Sequence, residues 1–238
     1  MDVSTLIVLQ FIAHLFTDYF LQSDEQAKEK NEKGFQSKFL SKHFLIAFIF
    51  SWGLSFQLNF IYFALAIALS HVIIDGAKKY INCHERLGKY AFYIDQLLHI
   101  SIFTFGSLIF DKYFTLYKPF DIEINWNFVL LTAGYLLCLK PTNIIIKQIF
   151  NTVKITDQIT GGLENAGRLI GGLERILTLT FVLLGHYEAV GFLIAAKSIL
   201  RFKEGDRQTT EYVLIGTMLS FSIAIGIGIL VLKIYSTT

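Results

Sequence analysis

The chain has 238 residues, of which 53% are hydrophobic and 15% aromatic, with a mean hydropathy of +0.52. That excess of apolar residues excludes an ordinary soluble domain, and it comes in uncharged blocks of membrane-crossing length. A net charge of +2, from 21 basic and 19 acidic residues, offers no footprint for nucleic acid.

Residues 5–21 form the first apolar run, with His14 and Asp18 toward its end. Residues 23–42 follow as a lysine-rich loop (Lys28, Lys30, Lys33, Lys38, Lys42) interspersed with acidic side chains. Such a stretch reads as a solvated helical loop on the cytoplasmic side, which puts the N-terminus outside. No basic leader or A-x-A site precedes it, so no cleavable signal peptide is expected. Residues 44–70 carry no charge over 27 positions, about 40 Å as one helix and overlong for a bilayer core. A hairpin turning near residues 57–59 returns both lysine-bearing ends to the same side, with His43 at its entry and His71 and Asp75 near its exit.

Residues 76–93 make a second basic loop, and residues 93–110 the fourth helix. Residues 126–139 begin a fifth helix, which Pro141 interrupts by removing a backbone donor. An interfacial segment follows at residues 141–154, then a glycine-bearing loop to residue 167. Two short apolar stretches form a hairpin turning at residues 186–188. After a third basic loop, residues 212–232 form the last span, in which Gly216, Gly226 and Gly228 predict close helix packing. The expected fold is all-α: a polytopic transmembrane bundle of about eight spans with both termini outside. It divides into a four-helix unit, 1–110, and a C-terminal unit, 111–238. Cys83 and Cys138 lack CxxC spacing, so neither a disulfide framework nor a zinc knuckle is expected.

Three motifs stand out: His14-xxx-Asp18, His71-xxx-Asp75 and Asp95-xxx-His99. Spacing of four puts both side chains of each pair on one helix face. Six histidines and nine aspartates predict about 0.45 such pairs by chance, and three are present. The inverted order of the third suits an antiparallel helix passing the same depth. With His43, the motifs bring four imidazoles and three carboxylates to one end of four helices. Ionisable groups within a membrane are costly unless paired or functional. Imidazole and carboxylate are ligands for borderline divalent metals, so His14, Asp18, His43, His71, Asp75, Asp95 and His99 are the candidate ligands. Zinc or manganese, as one or two ions, would suit them. Intrahelical pairing and a proton relay are the competing readings. Asp18, Asp75 or Asp95 could instead act as general base. Gln22, Lys78 and Gln96 neighbour the motifs as candidate substrate contacts, although snorkelling to lipid headgroups is the preferred reading for a single lysine such as Lys78. Arg175, Lys197 and Arg201 could hold a phosphate, or with Glu174 form a salt-bridged prop. His84 and His186 read as ordinary loop residues.

The pattern His14-xxx-Asp18-xx-Leu-Gln22, His43, His71-xx-Ile-Asp75-xx-Lys78 and Asp95-Gln-xx-His99 resembles a bacterial membrane-protein family known as domain of unknown function 3307. The segments Gly171-Gly-Leu-Glu-Arg175 and Ala195-Ala-Lys-Ser-Ile-Leu-Arg201-Phe are similar to that family's longer members. The resemblance implies a multi-pass protein of the bacterial inner membrane. A more distant likeness, in His and Asp placed at helix ends, is to inner-membrane metal-dependent hydrolases. The expected function is therefore a metal-dependent hydrolase of the cytoplasmic leaflet, acting on a lipid-like amphiphile with a phosphate or ester. The alternatives are a divalent-cation or proton transporter using the same residues, and a non-catalytic membrane partner protein. The outer halves of the first four helices look almost free of polar groups, which favours a site closed on that side.

Overall fold

The computed structural model describes residues 1–117, 124–155, 164–201 and 207–237, and among these residues it is all-α. Contacts divide the chain into two compact units, Met1–Val129 and Leu130–Thr238. The helices Val3–Phe20, Leu58–Asn82, Gly88–Tyr113 and Glu211–Ser236 are each long and apolar enough to cross a membrane.

In the first unit, α1 (Val3–Leu15) is N-capped by Asp2, whose carboxylate accepts from the Thr5 amide, and continues as a π-helical turn, Phe16–Phe20. Helix α3 (Phe39–Ser55) ends at Phe56, which adopts a left-handed conformation with φ 51°. The expected hairpin is present: α4 (Ile61–Asn82) follows after one 3-10 turn. Gln57 and Tyr117 exchange backbone and side-chain hydrogen bonds, tying this turn to the segment after α5 (Ala91–Tyr113). Helix α1 packs on α3 and α5, and α4 also packs on both, which closes a ring of four. At the end where α1 begins, Leu6, Phe60, Ala64 and Phe110 form an apolar plug that is essentially inaccessible.

One expectation for this unit is corrected. The loop at residues 23–42 is not uniformly solvated, because it contains a helix docked on the bundle. Helix α2 (Asp24–Lys33) opens with a reciprocal cap between Ser23 and Gln26 and ends at Gly34, with φ 56° and ψ −128°. A Cβ at Gly34 would lie 2.8 Å from the Gly76 carbonyl oxygen of α4. The missing side chain of Gly34 lets the end of α2 approach the α4 backbone, and that of Gly76 makes room for the Phe35 ring. Lys30 is carried into the bundle and left 3% exposed.

In the second unit, α6 (Trp126–Cys138) and α7 (Lys140–Val153) meet at a 44° bend and together have the length and hydropathy of one span. Pro141 has no N–H to give the Leu137 carbonyl, and the Thr142 hydroxyl donates to it instead at 2.6 Å. Helix α8 (Glu164–Leu183) begins earlier than the expected loop allows, and α9 (Tyr187–Arg201) completes the expected hairpin. Residues 156–163 and 202–206, parts of two expected loops, lie outside the described residues. Helix α10 (Arg207–Thr237) outruns the uncharged segment because its polar first turns are also helical. Of the three glycines expected to give close packing, Gly228 has the tightest approach, with a built Cβ 2.5 Å from Val182 of α8, whereas Gly226 has nothing within 4 Å.

Candidate metal centre

The ring of four helices brings the predicted residues to one end. Helix α1 ends as α5 begins there, so the i,i+4 pairs of α1, α4 and α5 face each other at one depth. His43, from the first turns of α3, completes the set and is wholly inaccessible. His14, His71, Asp75, Asp95 and His99 are each at most 6% exposed. The π-helical turn between His14 and Asp18 relaxes their register, leaving His14 Nδ1 3.9 Å from Asp18 Oδ1. Such turns are frequent at functional sites.

Two imidazoles and two carboxylates meet at the centre. His71 Nε2 lies 2.8 Å from Asp18 Oδ1 and 3.8 Å from Asp75 Oδ2. His43 Nε2 lies 3.3 Å from Asp18 Oδ1, 3.1 Å from Asp75 Oδ2 and 3.0 Å from His71 Nε2. A neutral imidazole nitrogen carries at most one proton, so these contacts cannot all be hydrogen bonds. A tetrahedral ion with bonds of about 2.1 Å keeps its ligands roughly 3.4 Å apart, which is the middle of this range. Three sets each offer ligand atoms within 4.8 Å of one another: His14, Asp18, His71 and His99; His43, His71 and Asp75; and Asp75, Asp95 and His99.

Several buried atoms here have no hydrogen-bond partner: both ring nitrogens of His99, Nδ1 of His14 and of His43, and Oδ1 of Asp75 and of Asp95. Each such atom costs about 1–3 kcal/mol if it stays unmatched, so their collection in one place calls for a ligand. A cavity of about 20 Å³ adjoins His14, His71 and His99 and is lined also by Gln10, Thr17 and Ser51. That is room for one water or ion.

Gln96 and Gln22, expected as substrate contacts, bond within the cluster. Gln96 Oε1 accepts from the Tyr19 hydroxyl at 2.7 Å and lies 3.1 Å from His14 Nε2, while its amide donates to Asp95 Oδ2 at 3.0 Å. Gln22 accepts from the Lys30 ammonium at 3.0 Å. Lys78 does not reach away toward headgroups, but donates to Asp95 Oδ2 at 2.9 Å. Lys30, Tyr19 and Gln10 were missed from sequence. Lys30 Nζ stands 2.8 Å from Asp75 Oδ2 and 3.3 Å from His43 Nε2. Burial works against its charge, yet Asp75 and Asp18 hold the Lys30 ammonium above the ordinary lysine range. The one sequence signal for Lys30 was its place beside Ala27, the single apolar residue of α2, on the only face that helix could bury.

The bundle beyond the cavity is less apolar than the sequence suggests. Gln10 and Ser51 are buried and bond each other, Ser51 Oγ donating to Gln10 Oε1 at 2.6 Å while Gln10 Nε2 donates to the Ser51 carbonyl at 2.9 Å. Past that pair lies the plug of Leu6, Phe60, Ala64 and Phe110.

The basic residues of the second unit make their own arrangement. Arg175 is 2% exposed, and its guanidinium donates to the Cys138 carbonyl at 2.5 Å, the Leu139 carbonyl at 3.3 Å, Asn143 Oδ1 at 2.7 Å and Ser220 Oγ at 3.0 Å. It thus serves the carbonyls freed at the α6–α7 break. Lys197 pairs with Glu174, as the salt-bridged prop requires. The Arg201 side chain lies outside the described residues.

No curated protein and no solved structure matches this chain, so the likeness to metal-dependent hydrolases gains no support there. The model of one protein family matches residues 6–127, which contain the entire His/Asp cluster with Lys30 and Lys78. The chain belongs to that family, described as Protein of unknown function (DUF3307).

Proposed function

We propose that this end of the bundle binds a divalent metal, zinc or manganese, and that the protein is a metal-dependent hydrolase of the cytoplasmic leaflet. The observation that carries the reading is His99, 3% exposed with both ring nitrogens unpartnered, among orphaned oxygens of Asp75 and Asp95. His71, Asp75 and His99 each belong to two of the three ligand sets, Asp18 Oδ1 lies 2.8 Å from His71 Nε2, and His14 and His43 complete the surroundings. A bound divalent ion lowers the pKa of its water toward 7 and polarises the bond under attack. The adjoining cavity has room for that water. Asp75 and Asp95 each keep one oxygen for the general base.

The lysine-rich loops around the cluster support a position at the cytoplasmic face of a bacterial inner membrane, with the N-terminus outside. With α3, α8, α9 and the bent α6–α7 pair counted beside the four long apolar helices, the spans number about eight. A substrate reaching that depth is an amphiphile with its phosphate or ester at the headgroup level, and the bilayer is the protein's partner. Transport of a divalent cation or proton is the second reading. Gln10 and Ser51 favour it by extending polar groups one turn outward, but the apolar plug beyond them opposes it.

Purified protein loaded with zinc or manganese, offered phosphoester and carboxylester amphiphiles in mixed micelles, should hydrolyse one class, and Asp18→Asn should lose that turnover. Metal-loaded protein inert toward both, but moving metal into proteoliposomes, would replace hydrolysis by transport.

A further inference from the structure

We infer that Lys30 and Lys78 take the place of a second metal ion, so that the centre is mononuclear. This rests on the metal reading above and deepens it. Seven ligand residues are more than one tetrahedral ion needs, and on residue types alone two ions would fit. The geometry assigns the surplus differently. Asp75, Asp95 and His99 form a second set of converging ligand atoms, and both of its carboxylates are already engaged by ammonium groups. Lys30 Nζ stands 2.8 Å from Asp75 Oδ2, with Gln22 Oε1 at 3.0 Å; Lys78 Nζ stands 2.9 Å from Asp95 Oδ2. Asp18, the third carboxylate, has imidazoles and no ammonium within ion-pair distance.

Charge points the same way. Counting the imidazoles in the neutral form that binds a metal, three carboxylates against two ammoniums leave one net negative charge in the cluster. One divalent ion turns that into a single positive charge. A second would raise it to three in a medium that solvates charge poorly. Lys30 is also not a surface lysine that happens to reach the site. Its side chain is 4% exposed, and α2 is held on α4 by the close approach of Gly34 and Gly76. The ammonium is therefore a built-in cation at the position a second metal would need.

The test is metal stoichiometry at saturation in purified protein, read by elemental analysis and calorimetric titration with zinc and with manganese. Wild-type protein should hold one ion per chain. Lys30→Met with Lys78→Met, which keeps the apolar stems and removes both charges, should hold two. Lys30→Arg should stay at one. Wild type taking two ions with both lysines intact overturns the inference without any variant. So does a folded double variant that still takes one. Wild type and variants all taking none would instead overturn the metal reading itself, and this inference with it.

Discussion

Gly34→Ala tests how the cluster acquires Lys30. Gly34 sits at φ 56°, ψ −128°, a region that only glycine occupies freely, and forcing another residue there costs about 1–3 kcal/mol. The added methyl would also lie 2.8 Å from the Gly76 carbonyl oxygen and 3.2 Å from Lys79 Cβ. Backbone cannot swing aside, so α2 must lift from α4, at a further cost of about 1–3 kcal/mol. The expected loss is roughly 2–6 kcal/mol, with Lys30 drawn away from Asp75. Gly76→Ala is the informative contrast. Its methyl would meet the Phe35 ring at 2.3 Å, but that ring is half exposed and can rotate away. The helix gains about 1 kcal/mol from replacing an interior glycine, so the net change should be near zero. Reversible unfolding in mixed micelles, metal-free, reads both variants. Gly34→Ala within about 0.5 kcal/mol of wild type would refute the close crossing of α2 on α4. So would equal damage from the two substitutions.

Three other outcomes follow from the same structure. Replacing Glu174 or Lys197 alone should destabilise by about 1–3 kcal/mol, and replacing both should cost less than the sum; additivity in that double-mutant cycle would dissolve the prop. Thr142→Val, which takes the hydroxyl from the Leu137 carbonyl beside Pro141, should cost about 1–3 kcal/mol in thermal unfolding, and a neutral result would mean that the carbonyl finds another donor. Cysteines at Lys33 and Arg86 should label from the cytoplasmic side and one at Tyr117 from the outside. Labelling of position 33 from outside would reverse the proposed orientation.

Much of the cluster was legible because its signal is periodic. His14, Asp18, His71, Asp75, Asp95 and His99 announce their helix faces by spacing alone, and the inversion of Asp95 and His99 implies the antiparallel neighbour that α5 turns out to be. The α3–α4 hairpin was readable from lysine placement, although Phe56 offers no turn chemistry and bends in a left-handed conformation usually left to glycine or asparagine. Lys30 was hidden for the opposite reason. Helix α2 is polar on nearly every face, so Ala27 alone marks the side that can be buried, and the backbone contact of Gly34 with Gly76 docks it there. Arg175 was legible as an anomaly in an apolar run but not as a clamp. Two of its four partners are the backbone carbonyls of Cys138 and Leu139, which stand at the α6–α7 break where Pro141 interrupts the helix.

The central claim is that buried histidine and aspartate converge to hold a divalent ion, and metal affinity of wild type beside His99→Ala addresses it most directly. His99 makes no hydrogen bond that its loss would break, so the variant should fold normally. Calorimetric titration should find tight, saturable binding of zinc or manganese in wild type, weakened in the variant by at least the roughly 10–100-fold that loss of a ligand's supporting partner costs. Wild-type protein that binds neither ion, or a variant that binds as tightly as wild type, would contradict the claim.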